Sequence, residues 1–175
     1  MKKLALFRHA KSDWDDGVER DFDRGLNQRG RRGADLLGDD IACAGTYWEK
    51  VLASPAARVR QTLELAMPST TPVWDERLYL ASCETIFEVI REHAGTARAI
   101  LVCGHNPGLQ EALLELVPPS AENALFDEAA RKFPTAAFAK FDLEIDDWAD
   151  LRKGCGKLVR FVRPRDLDPA LGPEY

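Results

Sequence analysis

Four residues of this chain are placed to do chemistry. Arg8-His9 closes one apolar run, Ser54-Pro55 with Arg58 follows a second, and Gly104-His105-Asn106-Pro107-Gly108 follows a third. Two arginines and two histidines are thereby set at the ends of three candidate strands. A guanidinium is a planar, permanently charged fork that matches phosphate oxygens, and a neutral imidazole can attack phosphorus. Together they read as a phosphate site containing a nucleophile. Arg8 and Arg58 hold the phosphoryl group while His9 attacks it, forming a covalent phosphohistidine that water later removes, so one difficult displacement becomes two easier ones. His105 has a separate task, which is to donate a hydrogen bond or positive charge to the equatorial oxygens, beside the arginines and the helix amino-terminus at Asn106. The arginines also depress the proton affinity of His9 and so keep it neutral near physiological pH. This chemistry calls for no metal and no cofactor.

Residues so far apart in the chain need a scaffold that gathers them. Lys3–Phe7, Lys50–Ala53 and Ala99–Cys103 are short apolar runs, the pattern of strands covered on both faces of a parallel sheet. A helix is predicted from about Asn27 to Ala42, with Gly30, Gly33, Ala34, Leu37 and Ile41 on one stripe. Ser54 and Pro55 read as the cap and first position of a second helix, and Asn106 and Pro107 repeat that device for another running through Leu116. Cys83–His93 reads as a helix between them, after a short strand at Pro72–Trp74. Beyond Pro118-Pro119 the pattern changes to a hairpin of Thr135–Leu143 and Lys157–Arg163 at one edge of the sheet. The predicted architecture is an α/β three-layer α/β/α sandwich, with a mostly parallel central sheet and an antiparallel edge strand. Residues 1–163 form one domain, and residues 164–175 an irregular tail rich in Pro, Asp and Gly. Parallel strands share a direction, so the residues after Phe7, Ala53 and Cys103 emerge at the same edge, where open α/β sheets bind ligands.

The net charge of -5 argues against a nucleic-acid partner, and no basic block points to a membrane surface, so an anionic ligand needs a local positive pocket. Met1–Phe7 begins like a signal peptide, but Arg8 interrupts the apolar region too early, and no stretch reaches the length of a membrane span. A soluble, cytoplasmic protein is expected. Cys43, Cys83, Cys103 and Cys155 lack the paired spacing of a metal site and read as reduced packing residues.

Leu6-Phe7-Arg8-His9-Ala10-Lys11-Ser12, Ser54-Pro55-Ala56-Ala57-Arg58-Val59-Arg60-Gln61-Thr62 and Gly104-His105-Asn106-Pro107-Gly108-Leu109 resemble the motifs of the histidine phosphatase superfamily, and more narrowly its short SixA-type phosphohistidine phosphatases. Asp23-Arg24-Gly25-Leu26-Asn27-Gln28-Arg29-Gly30 is similar to the family's stretch before its first helix, and Gly156–Pro164 to its final strand. The likeness spans nearly the whole chain. It implies a phosphoglycerate mutase-like fold, His9 as the phosphorylated nucleophile, and Arg8, Arg58 and His105 around the phosphoryl group. It also implies independence from metal and nucleotide.

Two departures bear on the substrate. Larger relatives carry an acidic proton donor at a position that falls here on Leu80, and often an Asn whose nearest counterpart is Asp15, which would repel a phosphate. Glu84 is a replacement acid only if its helix turns it inward. Without a general acid, an alkoxide leaving group is not protonated, whereas a protonated imidazole leaves easily. The expected substrate is therefore a phosphohistidine on a protein, or another activated phosphate. The competing readings are a broad phosphomonoesterase or small-molecule phosphomutase, and a catalytically silent phosphoryl-binding module. Ser12 and Asn106 are further candidates for contact with the substrate, and Lys11 borders them. Arg60 reads as a surface charge and His93 as a helix-end residue without chemistry. Trp14, Trp48, Trp74 and Trp148 read as packing or loop anchors.

Overall fold

The computed structural model describes residues 1–14 and 17–173. Six strands form one sheet: β1 (Lys2–Arg8), β2 (Lys50–Ala53), β3 (Val73–Trp74), β4 (Ala99–Gly104), β5 (Phe138–Leu143) and β6 (Gly156–Val162). Their order is β3-β2-β4-β1-β5-β6, parallel through β1 and antiparallel for β5 and β6. Alternation along β1 sorts its side chains to two cores. Leu4 and Leu6 pack under α3 (Cys83–His93), α4 (Gly108–Leu116) and α5 (Ala124–Arg131), while Ala5 and Phe7 face α1 (Gln28–Ala44) and α2 (Ala57–Ala66). The result is the expected three-layer α/β/α sandwich. Among the described residues, no helix is long and apolar enough to cross a membrane. The four cysteines are free, with Cys43 exposed and the other three buried in the cores.

The sheet register positions the site. Phe7, Cys103 and Ala53 are paired partners in one transverse row across β1, β4 and β2, so the next residues of all three strands emerge side by side. Loops after that row are held closely. The His9 amide donates to the Gly104 carbonyl at 3.0 Å, and the Ser54 amide to the Cys103 carbonyl at 3.2 Å. Gly30, in the first turn of α1, lies where any Cβ would run into the Lys11 carbonyl, and this lets the loop after β1 rest on the helix.

Five elements differ from the sequence expectation. The strand predicted from Thr135 begins at Phe138, because Ala136 takes a left-handed φ of 59° in a tight turn before it. Helix α5 lies in a stretch for which the sequence suggests no element, capped by Asn123, whose side chain accepts from the Phe126 amide at 2.9 Å. The tail is not irregular throughout, since α6 (Pro164–Leu167) opens with Pro at its first turn and Asp166 accepting from the Arg163 amide at 2.8 Å. Arg29 then holds the carbonyls of Ala170 and Gly172, docking the tail on α1. Finally, α2 and α4 start later than Ser54-Pro55 and Asn106-Pro107 suggest, at Ala57 and Gly108.

Candidate active site

The predicted quartet converges. His9, Arg58 and His105 are each at most 6% exposed, and with Arg8 they line one cleft of about 580 Å³ at the carboxyl ends of β1, β2 and β4. The His9 and His105 rings lie 5.2 Å apart between centroids. Arg58, in the first turn of α2, reaches between them: its Nε donates toward His9 Nε2 at 3.4 Å, and Nη2 toward His105 Nδ1 at 3.3 Å. Arg60, its sequence rival, points elsewhere, to the Pro55 carbonyl at 2.8 Å and over the Trp74 ring.

Each histidine has one nitrogen committed away from the cleft. His9 Nδ1 is 2.7 Å from the Ala10 carbonyl, which can only accept, so Nδ1 carries the proton and Nε2 keeps its lone pair toward Arg58. Burial pushes the His9 pKa well below its usual value, with His105, Arg8 and Arg58 adding to the effect against the raising influence of the Ala10 bond. His105 Nε2 pairs with Ser54 Oγ at 2.8 Å. A guanidinium only donates, so His105 Nδ1 presents a lone pair to the site, and burial with Arg58 lowers this residue to about 3. In this tautomer Nδ1 accepts, and the donor role expected of His105 calls for a proton on that nitrogen. Ser54 also departs from expectation. Its hydroxyl orients His105 rather than capping α2.

Arg8 Nη1 and Asn106 Nδ2 both donate to the Phe133 carbonyl, at 3.1 and 2.9 Å. Asn106 is therefore not a side-chain cap of α4. Burial and the neighbouring Arg58 push Arg8 down to about 10. Arg8 Nε and Asn106 Oδ1 are buried and have no hydrogen-bond partner among the described residues. Ser12 Oγ receives a hydrogen bond from Arg24 Nη1. Leu80 lines the cleft with a φ of 52°, placing an aliphatic side chain where an acid was sought. Glu84 is exposed in the first turn of α3 and is not part of the lining. Asp15 lies outside the described residues.

Sequence reasoning missed a second ring of residues. Asp21 is the only carboxylate among the described residues that line the cleft. Its Oδ2 accepts from Tyr79 Oη at 2.6 Å and from Arg58 Nη2 at 2.9 Å, its carbonyl from Arg58 Nη1 at 2.8 Å, and its Oδ1 from Arg24 Nη2 at 3.0 Å. Burial opposes ionisation there, yet hydrogen bonds from Tyr79, Arg24 and Arg58 hold the carboxyl well below the usual carboxylate range. Arg24 is itself buried and lies 4.0 Å over the exposed Trp14 ring. Behind the quartet, the Thr62 hydroxyl accepts from the Ala10 amide at 2.9 Å and donates to the Arg58 carbonyl at 2.7 Å.

The sequence profile of the histidine phosphatase superfamily (branch 1) matches residues 4–79. An uncharacterized protein of Mycobacterium tuberculosis (strain H37Rv) is 36% identical over 159 residues, spanning 90% of this chain and 99% of the relative. A solved structure from Nakamurella multipartitia, whose proposed identity is phosphohistidine phosphatase SixA, superposes with a TM-score of 0.81 at 29% identity, covering 93% of this chain and 96% of the other. The protein histidine phosphatase SixA complexed with tungstate superposes with a TM-score of 0.73 at 25% identity, covering 95% and 99%. The chain belongs to the histidine phosphatase superfamily. It is a phosphatase with a phosphoglycerate mutase-like fold.

Proposed function

We propose that this phosphatase hydrolyses phosphohistidine on a protein through a covalent intermediate on His9. The observation that carries the reading is the state of His9: a buried imidazole whose Nδ1 is committed to the Ala10 carbonyl, leaving Nε2 beside Arg58. His9 Nε2 attacks phosphorus as the bond from phosphorus to the substrate imidazole breaks. That imidazole, protonated on its other nitrogen, departs neutral and needs no acid from the protein. Water then bonds to phosphorus as the bond to Nε2 breaks, and both of its hydrogens leave with the inorganic phosphate. Arg8 and Arg58 stabilise the equatorial oxygens throughout. His105 joins them when the bound phosphoryl dianion raises its proton affinity, Nδ1 takes a proton from solvent and becomes a donor, and the proton returns to solvent as phosphate departs.

The make-up of the cleft supports this substrate over an alkyl phosphate. Its one described carboxylate is held ionised by three donors, and Leu80 supplies no proton. Positive charge comes from guanidinium groups, so the mechanism runs without a metal. The tungstate complex of the SixA relative is a complex with a tetrahedral oxyanion, the shape the quartet here would enclose. A cytoplasmic location belongs to the same proposal.

The test compares free phosphohistidine with an alkyl phosphate, using wild type and His9→Ala with and without chelator. Expected are a burst and turnover on phosphohistidine, slow turnover of the alkyl phosphate, acid-labile phosphate on His9, and no effect of chelator. Unchanged hydrolysis by His9→Ala would rule out the mechanism. Faster turnover of the alkyl phosphate would favour a phosphomonoesterase, and binding without label or turnover a silent phosphoryl-binding module.

A further inference from the structure

A second groove, of about 380 Å³, lies against the active-site cleft, and Lys11, Lys132, Pro134 and Thr135 line both. Its walls come from the first turn of α1, the segment before β5, the end of β6 with α6, and residues 171–173. Lys11, Arg29, Lys132, Arg163 and Arg165 line it, and among the described residues no Asp or Glu does. In a chain of net charge -5 this is a concentrated positive surface. Some of these cations are already positioned. Arg29 is held by the neutral carbonyls of Ala170 and Gly172, while Arg163 is shared between Asp166 at 2.9 Å and Glu128 at 3.7 Å, carboxylates outside the lining, and so offers the groove little charge. Lys132 and Arg165 are exposed.

The cations come from four separate stretches of chain, and between them the lining is apolar, with Pro134, Ala136, Pro164, Leu171 and Pro173. A lone phosphate is held by donors converging on one point. An extended peptide instead lays its backbone and aliphatic carbons on an apolar floor and sends carboxylates outward to charges spread along the rim. A phosphohistidine on a protein also brings its own flanking residues to whatever adjoins the reaction site.

We infer that this groove docks an acidic segment of the phosphorylated protein next to its phosphohistidine, selecting partners by charge. The inference rests on the phosphohistidine reading and adds the partner's chemistry to it.

Two phosphohistidine peptides of equal length, one flanked by Asp and Glu and the other by Ser and Gln, are compared with free phosphohistidine. Wild type is expected to favour the acidic peptide by about tenfold in kcat/KM at low salt, a preference that shrinks as salt screens the groove. Arg165→Glu should lower kcat/KM for the acidic peptide about fivefold and leave free phosphohistidine unchanged, which also reports an intact fold, and Arg165→Lys should restore the preference. No preference in wild type, or equal loss on all substrates in Arg165→Glu, would overturn the inference. So would weaker inhibition of Arg165→Glu by pyrophosphate with the acidic-peptide preference intact, since the groove would then be a subsite for a second phosphate. A fluorescein-labelled acidic peptide without the phosphoryl group separates this proposal from the reaction itself. If wild type hydrolyses no phosphohistidine, the proposed function fails, and salt-sensitive binding of that peptide, weakened by Arg165→Glu, still supports the groove. Absent or equal binding would sink it.

Discussion

Arg58 and Arg77 each bind an aspartate at nearly the same distance, 2.9 Å to Asp21 and 2.8 Å to Asp75, and each cluster includes histidine. Their surroundings differ. The Arg58 side chain is 3% exposed and that of Arg77 is 42%. Arg77 also reaches Glu92 at 2.6 Å, so its charge is shared between two carboxylates in water. Arg58 holds one carboxylate and extends its remaining N–H groups toward two histidine nitrogens in a cleft. The same residue types at the same spacing make a solvated surface network in one place and the proposed phosphoryl site in the other. What separates them is burial and the absence of a second acid among the described residues, since a guanidinium already neutralised by its neighbours has little left for a substrate.

Substitutions can break or sharpen this contrast. The largest effect is expected at His9, where His9→Ala should lower kcat by roughly 10³-fold or more through loss of the nucleophile, while His93→Ala leaves turnover within about twofold. Next comes Arg58→Lys, which keeps the charge but loses the fork, and kcat/KM on phosphohistidine should fall about 10²-fold. Arg77→Lys should change neither kcat nor KM. If both substitutions cost the same, the contrast fails. Asp21→Asn should follow with about a tenfold loss in kcat/KM, because Arg58 is no longer held by a carboxylate against the oxygens it must meet.

The smallest effect is on stability. Burial and the neighbouring Arg58 lower His105 from its ordinary 6.5 to about 3 in the folded chain, and burial lowers His9 too. Below about pH 6.5 the unfolded chain binds protons that the folded chain refuses, so stability falls as pH drops from there toward 3. Urea titrations across pH 7 to 4 should show this slope in wild type and a shallower one in His105→Gln. Asp21 has a lowered pKa as well, so its contribution is present above the usual carboxylate pKa near 4 and is lost as pH falls further.

The quartet was readable because each member follows an apolar run, and parallel strands bring such ends together. The same logic located β1, β2 and β4, and helical periodicity placed α3 at its observed bounds. Asp21 was not readable, because its role depends on contacts to Arg58 and Tyr79, 37 and 58 residues away, made from a loop with no periodic pattern. Ser54 was misjudged because Ser-Pro is a local helix-start signal, whereas its partner, His105, is 51 residues distant. Helix α5 was overlooked because it has only 8 residues and follows two prolines. Asn123 ahead of the buried Phe126 and Ala129 was the available signal.

Thr62 has a mechanical consequence. One hydroxyl fastens the residue after the proposed nucleophile to the residue that supplies the guanidinium, bridging the chain from β1 to α2. If α2 shifts as the protein breathes, attacker and clamp travel as a single part, and the gap the phosphorus must cross stays fixed while its surroundings move.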